Sequence, residues 1–229
     1  MREIILDTET TGLSPVDNRV VEIGCIELVN HVATGREFHA YLNPERDMPA
    51  EAEAVHGLSA EFLSDKPLFA AIVDDFLAFL GDAPVVAHNA GFDMGFINAE
   101  LRRVNRAPLL SDRAIDTVLL ARRKFPGAQA SLDALCRRFQ IDTSARTKHG
   151  ALLDAQLLAQ VYLELIGGRE PGLALAVSET ITVSVTAVER TMREPRPHGP
   201  SPEELAAHAT FIATIKNALW SRADETVVN

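Results

Sequence analysis

Cysteine is nearly absent from this 229-residue chain: Cys25 and Cys136 are the only two. They sit far apart in apolar surroundings, without the paired spacing of a zinc site, and read as reduced core thiols with no catalytic part. Long apolar runs are missing too. No stretch approaches the roughly 18 residues that a membrane-spanning helix requires. The stretch Met1 to Gly12, where a signal peptide would lie, already carries Asp7 and Glu9 in a compact motif, so the chain is expected to start here and to be cytoplasmic. Positive charge is in short supply: 22 Lys and Arg face 32 Asp and Glu, a net charge of −10. That balance speaks against a broadly basic, phosphate-binding surface. It is unevenly spread, however, since eleven Lys or Arg against four Asp or Glu fall between Arg102 and Lys148. A phosphate-tracking patch and ordinary solvated helix faces account for that segment equally well.

What is present is an ordinary globular composition, 47% hydrophobic and 24% charged, which excludes disorder over the whole chain. The length suits one α/β domain plus an appendage. Three early runs, Glu3 to Asp7, Val20 to Val29 and Glu37 to Leu42, are rich in aliphatic and β-branched residues and predict an antiparallel trio of strands. Leu68, Ile72, Phe76 and Phe79 recur at helical spacing up to Gly81, and Pro84 to Ala87 reads as a further strand. Helical patterns follow at Phe92 to Val104, Ser131 to Phe139 and Ala151 to Ile166. The order predicts an α/β domain over residues 1–168, a mixed sheet flanked by helices.

The character changes after Gly168. Residues 169–200 hold one β-like stretch, Thr180 to Val185, and then Pro195, Pro197 and Pro200, and read as a linker. Residues 201–229 form a small C-terminal segment with an amphipathic helix over 201–220. Ser201-Pro202-Glu203-Glu204 supplies a cap, a proline at the first helical position and a capping glutamate, and Leu205, Ile212, Ile215 and Leu219 make an apolar stripe. Such a stripe folds back on the domain or docks on a partner chain; the proline-rich spacer favours docking.

Three motifs carry chemistry. Asp7-Thr8-Glu9-Thr10-Thr11-Gly12 follows the apolar Ile4-Ile5-Leu6. Residues two apart on a strand share a face, so Asp7 and Glu9 present adjacent carboxylates that need protons or a hard cation to coexist. His88-Asn89-Ala90-Gly91-Phe92-Asp93 sits at a strand-to-helix junction, with Asp93 in the first helical turn, where aspartate is also common as a cap. His149-Gly150-Ala151-Leu152-Leu153-Asp154 places an aspartate in an apolar helix, costly without a partner or a metal. Five residues apart on a helix, side chains point about 140° from each other, so His149 meets Asp154 only from just before the helix start.

Taken together, Asp7, Glu9, Asp93, Asp154 and His149 resemble the histidine-containing branch of the DEDD exonucleases. The likeness covers nearly all of residues 1–168. Val55-His56-Gly57, Ser131 to Cys136 and the Ala-Gln-Leu-Leu-Ala run after Asp154 narrow it to the proofreading epsilon subunits of bacterial DNA polymerase III. The resemblance implies a ribonuclease H-like fold and 3′-to-5′ hydrolysis of DNA, with release of 5′-mononucleotides using two divalent cations, Mg²⁺ or Mn²⁺. It implies Asp7, Glu9 and Asp154 as ligands, Asp93 as support for one ion and His149 as general base. Thr8, Thr10, Thr11, Leu13, Glu51 and His56, with Asp7, Glu9 and Asp154, would contact the terminal nucleotide. Asp116, in a family-like position after the basic helix, reads as a supporting or structural residue, and His31, His39, His198 and His208 as surface or incidental ones.

The implied partners are DNA 3′ ends, single-stranded or mispaired, and the polymerase alpha subunit, reached through the C-terminal segment with Trp220 as an anchor. A sliding clamp is the weakest of these. Arg169 to Leu175 lies where the family can carry a clamp-binding motif but lacks its glutamine and terminal phenylalanine. Two rivals stand beside this reading: an RNA-trimming relative with the same five residues, and a subunit that mainly binds the polymerase.

Overall fold

The computed structural model describes residues 1–144, 146, 148–167 and 199–216. The chain divides into two compact units, Met1–Ala174 and Leu175–Asn229. In the first, β1 (Arg2–Thr10), β2 (Val20–Val29), β3 (Val32–Tyr41), β4 (Val85–Ala87) and β5 (Ala114–Asp116) form one sheet in the order β3-β2-β1-β4-β5. The trio β3-β2-β1 is antiparallel, as its sequence predicts, and β4 and β5 add in parallel to β1. This is a mixed α/β sheet. Strand β1 runs on to Thr10, past the apolar run that announces it, because β2 stays paired with it; Asp7 lies opposite Gly24 and Glu9 opposite Glu22. Strand β3 starts five residues before its predicted beginning at Glu37. Asn30 and His31, with φ of 51° and 65°, make a two-residue reversal of the kind that matches strand twist, so pairing resumes at once.

Helices α1 (Ala50–His56), α2 (Ala60–Leu63), α3 (Phe69–Leu80), α4 (Ala90–Arg103), α5 (Thr117–Lys124), α6 (Leu132–Phe139) and α7 (Ala151–Ile166) complete the unit. Alternation along β1 assigns its residues to two layers. Ile4 and Leu6 pack with Phe76, Phe96 and Leu101 of α3 and α4. Ile5 packs with Leu135, Leu158 and Val161 of α6 and α7. Ile4, Ile5 and Leu6 are fully buried, and each such side chain contributes about 1.5–3 kcal/mol of transfer free energy. The polar residues that follow therefore sit on a strand that cannot slide.

Asp116 follows α4, whose last turn carries Arg102 and Arg103, and is structural as read: it caps α5, accepting hydrogen bonds from the N–H of Val118 (2.8 Å) and of Asn89 (3.2 Å). Two sequence readings need correction. His31 and His39 are not incidental. Nδ1 of His31 lies 2.7 Å from Oε2 of the buried Glu3, close enough for an ion pair though off the line of a hydrogen bond, and Nε2 of His39 lies 2.7 Å from Oε1 of the buried Glu22. Both answer carboxylates that the strand register buries.

In the second unit, α8 (Pro202–Thr214) begins with the predicted capping box: Oγ of Ser201 accepts from the Glu204 N–H and the Glu204 carboxylate accepts from the Ser201 N–H. The helix ends at Thr214, short of residue 220. Leu205, Phe211 and Ile215 are exposed. The β-like stretch Thr180 to Val185, the segment Arg169 to Leu175, His198 and Trp220 lie outside the described residues. Among the described residues no helix is long and apolar enough to cross a membrane.

Candidate active site

The site assembles at one end of β1. Asp7 and Glu9 share the strand face that Ile5 buries against α7, whereas Thr8 points to the opposite layer, where its hydroxyl donates to Oδ1 of Asp93 at 2.7 Å. Asp93 occupies the first turn of α4, directly after the parallel strand β4, and is buried. The loop before α4 is tight, with Asn89 at φ 66°. Parallel strand ends followed by helix starts commonly gather functional groups in this way.

Asp154 arrives from α7. It lies in the first turn, is 3% exposed, and donates its backbone N–H to Gly150 O. Gly150 caps the helix, so His149 sits just outside it, as the spacing argument requires, and Nδ1 of His149 comes within 3.2 Å of Asp154 Oδ2. Gly24 sets the depth of this helix. A Cβ there would stand 2.3 Å from the backbone of Ala151 and Leu152, so α7 rests directly on the β2 backbone opposite Asp7. Only glycine permits that approach.

Glu9, His149 and Asp154 each bring a ligating atom within 4.8 Å of the others. Asp7 is not in that closest group. It lines a cavity of about 260 Å³ with Asp133, Arg146, His149 and Asp154. The crowding perturbs the acids. Burial, then Asp93, Glu9 and Asp154, hold Asp7 well above the usual carboxylate range. Burial, then Asp154, Glu22 and Asp93, push Glu9 up to about 8, with Arg146 opposing. Burial likewise raises Asp93, against the Thr8 hydrogen bond. Clustered, mutually repelling oxygen donors beside an imidazole are a donor set suited to hard divalent cations.

Thr8, Glu9, Thr10, Thr11, Leu13, Glu51 and His56, whose substrate roles the resemblance suggests, all line a second cavity of about 370 Å³, which Glu9 edges on its way to the cluster. Thr10 Oγ1 donates to Gly12 O at 2.7 Å, shaping the loop that leaves Leu13 86% exposed at the rim. His56 is buried; its Nδ1 accepts from the Leu58 N–H at 3.0 Å, which places the ring proton on Nε2. That Nε2 is buried without a partner among the described residues. Burial holds the ring pKa below the ordinary histidine value, so it remains a neutral donor. Apolar walls come from Val55 and Phe92.

Arg146 escaped the sequence reading. Its guanidinium grips Asp154 with two bonds of 2.6 Å, touches His149 Nδ1 at 2.7 Å and pairs with Asp133. A lone arginine in a polar loop carries no periodic signal; its nearness to the His149 motif was the one clue. Gly24 was equally silent, a glycine inside an apolar strand.

The Exonuclease family (RNase_T) matches residues 4–162. The DNA polymerase III subunit epsilon of Rickettsia felis is 51% identical over 222 residues, covering 94% of this chain and 97% of that protein. The Escherichia coli K12 protein of the same name is 43% identical over 235 residues, covering 96% and 97%. Among solved structures, exonuclease X in complex with 5′ overhanging duplex DNA aligns with a TM-score of 0.55 at 26% identity over 71% of this chain and 90% of that one. The nuclease domain of 3′hExo, a DEDDh family member, aligns with a TM-score of 0.62 at 17% identity over 72% and 91%, a likeness of fold.

Proposed function

This chain belongs to the exonuclease family of the bacterial DNA polymerase III epsilon subunits, and from that premise we propose how its residues remove a nucleotide from a DNA 3′ end. Its function is that of a proofreading 3′–5′ exonuclease, dependent on divalent metal ions as the family is. The observation that carries the residue assignment is the convergence of Glu9, His149 and Asp154, with Asp7 beside His149 and Asp154 on one cavity wall and Asp93 behind Thr8.

Asp7, Glu9 and Asp154 would hold two divalent cations, Mg²⁺ or Mn²⁺, with Asp93 in support. When bound, such cations would supply charge to offset the phosphodiester and would lower the pKa of the attacking water. The terminal nucleotide lies in the cavity of Thr8, Thr10 and Thr11. Leu13 wedges against its base, and Glu51 and the Nε2–H of His56 bond its polar edge. His149, at the open side of the cluster, takes the proton of the attacking water, a task worth roughly 10²- to 10⁴-fold. The substrate is a frayed or mispaired primer end. The C-terminal segment 201–229 is the tether to the polymerase alpha subunit, residues 169–200 the linker and residues 1–168 the nuclease. Sliding-clamp contact through Arg169 to Leu175 is the weakest part of the assembly. Free Cys25 and Cys136 suit a reducing cytoplasm.

The test is release of mononucleotides from a mispaired primer with Mg²⁺ or Mn²⁺, alongside matched RNA. Asp7→Ala and His149→Ala should each lower the rate at least ~10²-fold without changing the circular dichroism spectrum. Near-normal release by a cleanly purified Asp7→Ala protein would end the assignment.

A further inference from the structure

The acidic cluster itself holds a cationic side chain. Arg146 is the basic side chain bonded to it, only 10% exposed, and its two parallel bonds to Asp154 occupy both carboxylate oxygens. A third contact reaches Nδ1 of His149 at 2.7 Å, and a fourth holds Asp133. Each bond bears on the reaction. Asp154 with both oxygens in an arginine fork has little left to offer a metal ion. A guanidinium can only donate, so the His149 Nδ1 that faces Arg146 must present its lone pair. The neutral ring then carries its proton on Nε2. In that tautomer Nε2 cannot receive a proton from water. Were Arg146 withdrawn, Nδ1–H could donate to Asp154 Oδ2, now 3.2 Å away, and Nε2 would become the free acceptor.

We propose that Arg146 is a built-in, displaceable counter-ion: it holds the metal-free site assembled but inactive, and divalent metal binding must evict it. The inference rests on the metal-site reading above. Arg146 is thus a positioning residue in the resting protein and a competitor for the metal. Its place supports this, since it lies in the polar loop before His149 and not within a packed helix. Removing it leaves buried Asp154 without its counter-charge in the metal-free protein only. The resting state rises in free energy and the loaded state does not, so metal should bind more tightly.

The experiment compares the full-length wild type with Arg146→Gln and Arg146→Lys by calorimetric titration with Mn²⁺ alone, and by melting in EDTA and in saturating Mn²⁺. Arg146→Gln should bind Mn²⁺ ~10-fold more tightly or better. It should melt lower than the wild type in EDTA and match it in Mn²⁺. Lysine keeps the charge without the fork and should give a smaller gain, which also serves if the glutamine variant does not fold. In nitrogen-resolved spectra of the metal-free proteins, the His149 proton should move from Nε2 to Nδ1 on the Gln substitution. Mn²⁺ affinity that is unchanged or weakened in both variants overturns the inference while leaving the metal site standing. Failure of the wild type and both variants to bind Mn²⁺ overturns the metal site and the inference together.

Discussion

At the scale of single residues, the site is a store of unfavourable electrostatics. Glu9 shows it best, its carboxyl raised from an ordinary 4.5 to about 8 by burial and by Asp154, Glu22 and Asp93. A raised acid keeps a proton in the folded protein that the unfolded chain has lost. Its contribution to stability is whole below the unfolded value and disappears as pH climbs through the folded one. The metal-free protein should therefore melt at progressively lower temperature from about pH 4.5 to about 8, with Asp7 and Asp93 acting in the same direction. Divalent metal should flatten the trend by replacing the protons. A melting temperature in EDTA that holds constant or rises across this interval would contradict the burial of these acids. Asp7 and Glu9 were legible as a pair because strand geometry makes any i, i+2 residues neighbours. Arg146 was not, because the contact that matters to it is made eight residues away, through a loop without a repeating pattern.

At the scale of elements, the decisive contact is α7 on β2. Asp154 reaches the cluster because nothing but hydrogen stands between Gly24 and the first turn of that helix. Gly24→Ala should push the helix outward by the clash of a single methyl group. A displacement near 1 Å at a reacting group can cost about 10²-fold in rate, so nucleotide release should fall by that order. The secondary structure, read by circular dichroism, should survive. Full activity in Gly24→Ala would mean that the helix tolerates a different seat. Periodicity made α3, α4, α6 and α7 readable, since each shows one apolar stripe to the sheet. It failed for β5, whose three residues hold too few repeats to register, and for α5, which buries only Thr117 and Ala121 and so shows no large apolar stripe. The early start of β3 depended on the conformation of Asn30 and His31, which their residue types only permit.

At the scale of the whole molecule, an exonuclease of net charge −10 has to meet a polyanion. The proposed tether would answer this, because a linker would keep the nuclease concentrated near the primer end without long-range attraction. A protein cut to residues 1–168 should keep its rate on free mispaired primer and no longer co-elute with the polymerase alpha subunit; co-elution of the truncated form would refute the tether. The sequence by itself determined the layers of the sheet, the capping box of α8 and the identity of the five chemical residues. Local rules suffice for the first two, namely alternation, helical period and capping chemistry, whereas the five residues were singled out by their joint resemblance to the DEDD exonuclease pattern. Only the tertiary structure decided which atoms meet. Glu9, His149 and Asp154 converge because β1 is pinned between two apolar layers and α7 lies on a glycine. The guanidinium of Arg146 fills the charge vacancy that this convergence creates, and no local pattern encodes a long-range electrostatic balance.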